Sequence, residues 1–139
     1  MSAMSNEDYA DAVLRMGQQA SAFSPMATYI PEGDCIEFII SPDDYYAQRI
    51  DGLVTVYYSR KTKQLAGSLI KGVQRFCQEI LSKYPGFKIE LESGCVKLEH
   101  IFLAHLWQEA RETMIVRTYR ELIHAAEQGD VHVEMTACA

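Results

Sequence analysis

Asp43-Asp44 follows Pro42, between two segments rich in β-branched and aromatic residues, CIEFII and YYAQRI. Two carboxylates can share acid–base work only if both converge on one cleft. Neighbouring residues of an extended chain point apart, and acids in turns ordinarily accept hydrogen bonds from local amides. The pair therefore reads as a solvated turn. The same parity separates Tyr45 from Tyr46 and Tyr57 from Tyr58, because successive side chains of a strand face opposite sides of the sheet. Aromatic residues are favoured on pleated surfaces, so packing is expected, and tyrosines left exposed on an outer face would make interface anchors.

The histidines are His100, His105, His124 and His132. Glu121 and His124 form an E-x-x-H, half of the pattern that carboxylate di-iron bundles use, but that architecture needs a second copy and two further glutamates on inward-facing helices. At helical spacing, Glu121 and His124 fall on a polar side, and His105 groups with Glu109 and Glu112; both sets read as helix-surface ion pairing. No G-x-S-x-G elbow is present, and no cysteine has a histidine within a local motif. Cys35, Cys77, Cys95 and Cys138 form no C-x-x-C, and free cysteines of this kind are commonly buried. Cys95 follows the Ser93-Gly94 turn, where exposure and a pairing with His100 stay open. Arg60, Lys61 and Lys63 form a basic loop; Lys71 and Arg75 would lie at the far end of the hairpin. No glycine-rich phosphate cradle accompanies them.

The elements that must hold these groups follow from pattern and punctuation. Residues 6–20 are expected to form an amphipathic helix, with Ser5 as cap and Tyr9, Val13 and Met16 along one face. The TYIPEGD segment reads as a break. CIEFII, YYAQRI, LVTVYYS and QLAGSLIKG read as successive strands, with Asp51-Gly52 as a tight turn and RKTK as a loop. Connections this short admit only antiparallel neighbours. Residues 73–84 carry apolar side chains at i, i+3, i+4, i+7 and i+8, the mark of a helix stopped by Pro85-Gly86. FKIELESG reads as a fifth strand. Between 97 and 128 the apolar stripe changes sides: Phe102, Leu106 and Trp107 share one direction, Tyr119, Leu122 and Ile123 another. That pattern requires a break near 113–115 or two different burying surfaces. The tail VHVEMTACA is expected to be a short edge strand or unstructured.

The 139 residues fit one domain with its own core. Apolar residues make up 48%, and 19 acidic against 13 basic residues leave a net charge of -6. A chain that lives on phosphate backbones normally has a basic surplus, so nucleic-acid binding is disfavoured. There is no secretory leader pattern and no span-length apolar run. A cytoplasmic protein with no membrane association is expected.

The stretch from D-x-I-E-F to L-A-G-S-L-I-K-G, about residues 34–72, resembles short bacterial β-meander domains of unknown function. The likeness rests on Asp34, Ile36, the Asp51-Gly52 turn and Gly67. The resemblance implies a binding or regulatory module, often encoded beside a toxin-like partner, and carries no catalytic residues with it.

The expectation is an α+β fold: a four- or five-stranded, mostly antiparallel sheet (meander) covered by helices, with an N-terminal helix and a C-terminal helical region. Apolar residues on both sheet faces point to a non-catalytic module acting as a homodimer. The alternatives are a small-molecule-binding domain or enzyme with a pocket between sheet and C-terminal helices, and an antitoxin-like partner-binding regulator. No cofactor or metal is expected. Candidate interface or pocket residues are Tyr45, Tyr57, His100, His105, Trp107 and Tyr119.

Overall fold

The computed structural model describes residues 23–79, 94–108 and 110–135. The expected helix over 6–20, most of the strand FKIELESG, and the end of the helix begun at Val73 lie outside them. The described chain is α+β. Five strands, β1 (Met26–Ile30), β2 (Cys35–Ile39), β3 (Tyr45–Arg49), β4 (Val54–Ser59) and β5 (Leu65–Lys71), form one antiparallel sheet in the order β1-β2-β5-β4-β3. Helix α1 (Val73–Glu79) follows directly. Strands β6 (Cys95–Lys97) and β7 (His132–Glu134) pair as a separate ribbon around α2 (Leu98–Trp107) and α3 (Thr113–Gln128).

β3, β4 and β5 run as a meander, but β2 pairs with β5 and lies away from β3. Residues 40–44 carry the chain across two strands to the far edge. Three strand spacings, about 14 Å, are within reach of such a segment. The order follows from composition. β5 is apolar along most of its length and takes the centre. β3 exposes Ala47, Gln48 and Arg49, which suits an edge, where polar and charged side chains discourage further pairing. β1 arises within the segment read as a break; two prolines flank MATYI, and its partner β2 only follows after the Pro31–Gly33 turn.

Alternation buries Ile36, Phe38, Val54, Val56 and Ile70 completely on one face. The described helices pack on that side: Phe102 of α2 meets Phe38 at 6.1 Å between ring centroids, and Tyr119 of α3 meets Phe102 edge-on at 6.4 Å. The change of apolar side near 113 is resolved as two helices. α2 is buried nearly all round, whereas α3 buries one stripe, Tyr119, Leu122 and Ala126. The β6–β7 ribbon ties their outer ends together, with Leu98 donating its amide to the Val131 carbonyl at 3.0 Å. α1 is capped from a distance: Asp34 accepts the Val73 amide on its carbonyl at 3.2 Å and the Gln74 amide on Oδ1 at 3.0 Å, and the Tyr29 hydroxyl also donates to Oδ1.

Two backbone devices shape the sheet. Gly72, at φ 62, turns the chain from β5 into α1 in a conformation that other residues adopt at a cost. Gly67 sits where a Cβ would lie 2.3 Å from the Phe38 carbonyl oxygen and 3.2 Å from the Tyr57 ring. The close neighbour is backbone in the adjacent strand, which cannot swing away. Gly67→Ala is therefore expected to destabilise the fold by about 2 kcal/mol or more, as overpacking does. Urea denaturation checks this, and an unchanged midpoint would show that the strands can separate without cost.

Candidate functional site

The most highly connected polar group of the described chain is Asp51, in the turn between β3 and β4. Its Oδ1 accepts the amides of Leu53 and Val54, each at 2.8 Å. That is the local hydrogen bonding that makes Asp a turn residue. Its Oδ2 accepts Nη1 of Arg111 at 2.9 Å and the hydroxyl of Tyr119. Nη2 of Arg111 donates to the His105 carbonyl at 2.9 Å, closing the end of α2, and the guanidinium lies 5.1 Å from the centre of the Tyr119 ring. The ion pair is well shielded, with side chains 8% and 16% exposed. Burial opposes ionisation of Asp51, but the Tyr119 hydroxyl, the two amides and Arg111 together outweigh it and hold the carboxyl below its usual value. Each oxygen takes two donors, so Asp51 is a fixed anion that joins a turn of the sheet to the corner between the helices.

His105 lies beside this group, and its position corrects the sequence reading. It does not share a polar surface with Glu112; it is fully buried, its ring stacked on Phe76 at 3.8 Å and 4°. α2 is enclosed by the sheet, α1 and α3, so periodicity had no solvent side to report. Neither ring nitrogen of His105 has a hydrogen-bond partner among the described residues. Burial is the main reason its pKa drops to about 4; Asp51 pulls it back up and Arg111 pushes it further down. The imidazole is thus neutral in the fold at neutral pH. Phe76 above it lines a shallow cleft of about 350 Å³ with Leu53, Arg75 and Gln108.

The remaining candidates separate into three places. Tyr45 and Tyr57 meet on the outer face, ring centroids 4.2 Å apart, with Tyr45 at 40% exposure and Tyr57 at 7%. Burial, with Tyr45 alongside, pushes the Tyr57 phenol up to about 12, so Tyr57 is a neutral packing group. Tyr119 is buried on Asp51, and it shares the Asp51–Arg111 cluster with His105. Trp107 stands apart at the end of α2, 59% exposed, and His100 is half-buried near its start. Asp43 accepts the Ser59 hydroxyl at 3.1 Å, whereas Asp44 faces solvent 3.7 Å from Arg60, a turn arrangement. Cys77 is buried; burial and the charges of Glu37 and Asp34 push the half-buried Cys35 thiol up, the reverse of what a nucleophile needs. Cys95 is half-buried in β6. Glu121 and His124 are exposed on α3. No group of three or more His, Cys, Asp or Glu side chains among the described residues is arranged to hold a metal ion, and no described helix is long and apolar enough to cross a membrane.

The role of Asp51 was missed by sequence reasoning. An Asp-Gly pair between strands gives the turn but not its second function, because Arg111 and Tyr119 are 60 and 68 residues away. No family model, no curated protein and no solved structure matches the chain.

Removing one partner of a buried charge leaves the other uncompensated. Arg111→Met is expected to cost about 3 kcal/mol and Tyr119→Phe about 2 kcal/mol. Because both donate to one oxygen, the double variant should cost less than the sum; urea titrations of the cycle measure the coupling, and strict additivity would contradict a shared site. The His105 imidazole gives a pH signature. Its folded pKa of about 4 lies below the ~6.5 of an unfolded histidine, so the unfolded chain takes the proton first. Stability present at neutral pH is lost as pH falls from about 6.5 to about 4, by about 3 kcal/mol at the acid end. Asp51 adds a further loss below its ordinary value. His105→Phe keeps the stacked ring and should remove the upper part of this slope; parallel pH profiles would overturn the assignment.

Proposed function

We propose that this protein is a non-catalytic interaction module that acts as a homodimer through the outer face of its five-stranded sheet. The observation that carries the reading is one-sidedness. Among the described residues every helix lies on the Ile36, Phe38 and Val54 side. The register sends Met26, Ile39, Leu69, Tyr57 and Tyr45 to the other. Met26 is 56% exposed and Leu69 and Ile39 are half-buried. Tyr45, 40% exposed and backed by the buried Tyr57 ring, supplies the rigid aromatic surface that interface centres favour.

The arrangement of charge favours a second copy of the chain as the occupant. One row across this face runs Thr28, Glu37, Leu69, Thr55, Arg49, with Glu37 on one side of the central strand and Arg49 on the other. A two-fold axis along β5 turns the acid of each copy toward the base of its partner, the self-complementarity that an isologous contact requires. A binding role is also what the resemblance of residues 34–72 to small bacterial meander domains implies. Against a catalytic role stands the state of the deepest ionisable groups: Asp51 is saturated by four donors and His105 lies beneath Phe76.

Light scattering across a concentration series should give the mass of a dimer at micromolar concentration. Leu69→Glu, at the centre of the row, should give a monomer with an unchanged circular dichroism spectrum. A wild-type monomer throughout, or a Leu69→Glu dimer, would count against this face.

A further inference from the structure

A second surface, on the helix side, has the makings of a ligand site. Between the β4–β5 loop and α3 lies a cleft of about 480 Å³. Its apolar lining is Tyr58, Leu65 and Met114; its charged lining is Lys63, Arg117 and Glu121. The sheet register explains how this lining comes together. Plain alternation would put Leu65 on the same face as Leu69, away from α3. A bulge between Tyr57 and Tyr58 shifts the pairing, so that Tyr57 opposes Gly67 while Tyr58 opposes Leu65. The side chain of Leu65 is thereby re-aimed into the cleft beside Tyr58, a recurrent use of bulges.

Lys63 is held for the same space. Its φ of 64 is a left-handed conformation that a lysine adopts at a cost, and its ammonium lies 5.2 Å from the centre of the Tyr46 ring. Among the described residues neither Lys63 nor Arg117 forms an ion pair. Met114, 77% exposed, leaves a flexible apolar wall at the mouth. Two cations and one acid, with no ion pair among the described residues, leave one net positive charge around an apolar floor and suit a ligand with an apolar body and a single negative group.

The geometry points to a binding site for a small amphipathic carboxylate in this cleft, with Lys63 and Arg117 taking the carboxylate and Tyr58, Leu65 and Met114 taking the hydrocarbon. Glu121 limits the charge accepted and disfavours dianions. The site is independent of the sheet face used for dimerisation.

Octanoate and 1-octanol, which share a chain and differ in charge, make the test on the full-length protein, followed by ¹⁵N–¹H NMR titration. Octanoate is expected to shift the amides of Lys63, Gln64 and Thr118 and to saturate at millimolar concentration or below. Octanol should bind about tenfold more weakly. Lys63→Ala and Arg117→Ala should each weaken octanoate about threefold, and Glu121→Gln should tighten it about threefold. These exposed substitutions leave the core intact, which an unchanged spectrum elsewhere verifies. Equal binding of octanol, insensitivity to all three substitutions, or no shifts in the cleft at millimolar octanoate would each overturn the proposal.

Discussion

The carboxylate of Asp51 is the constraint on which the packing of helices on sheet depends. A turn between two strands needs its amides satisfied, and a corner between two helices needs a donor-rich group to close it. One side chain meets both needs, because a carboxylate offers about four acceptor positions and here receives two amides, a guanidinium and a phenol. The helices could slide over a purely apolar sheet face at modest cost, since hydrophobic attraction has no direction. Arg111 and Tyr119 remove that freedom. They approach one oxygen from α3 and the segment preceding it, and Arg111 also holds the last turn of α2 through the His105 carbonyl. The aromatic contacts Phe38–Phe102 and Phe102–Tyr119 then lead from the sheet through both helices and back to the same turn.

This arrangement dictates what His105 can be. A fixed cation at Arg111 and a fully buried position both disfavour a second positive charge, and the Asp51 anion, already compensated, offsets only part of that. The imidazole behaves as a flat apolar ring against Phe76. Two ring nitrogens without described partners are costly in an interior, typically about 1–3 kcal/mol for each unsatisfied group. The gain that offsets this is shape: parallel stacking at 3.8 Å fills a slot between α1 and α2 with a ring that a branched side chain could not replace.

Local pattern was enough to read the antiparallel strands and the helix beginning at Val73; it marked the change of side between α2 and α3 and the strand at His132 only as one of two alternatives each. Each is recorded within a few residues of chain, by alternation, by helical spacing or by a change of apolar side. The strand order was not readable. CIEFII and YYAQRI are neighbours in sequence and far apart in the sheet, because the competition for the central position is decided by which strand is apolar on both faces. β1 was hidden by its flanking prolines. The site was legible only in its parts: Tyr119 and His105 were named as candidates, Asp51 as a turn former, and the periodicity placed His105 on a polar helix face. Their convergence depends on contacts across 60 residues or more, which no local periodicity encodes. α2 misled for a specific reason: a helix enclosed on nearly every side has no polar face from which to infer the direction of its histidine.

The bulge between Tyr57 and Tyr58 decides on which side of the sheet Leu65 lies. Strict alternation from Leu69 would carry Leu65 to the outer face and leave the space under α3 without an apolar floor. One added residue reverses the parity beyond Gly67. On the outer side, the regular register before the bulge already sets Gly67 opposite Tyr57, whose ring stacks with Tyr45. On the inner side, Leu65 joins Tyr58 against α3. Gly67 matters on the outer side, because its missing side chain admits the Phe38 carbonyl on one flank and the Tyr57 ring on the other. A sheet of uniform register made from these same residues would have a more apolar outer face and no cleft. The irregularity therefore takes Leu65 from the outer face and gives it to the groove under α3.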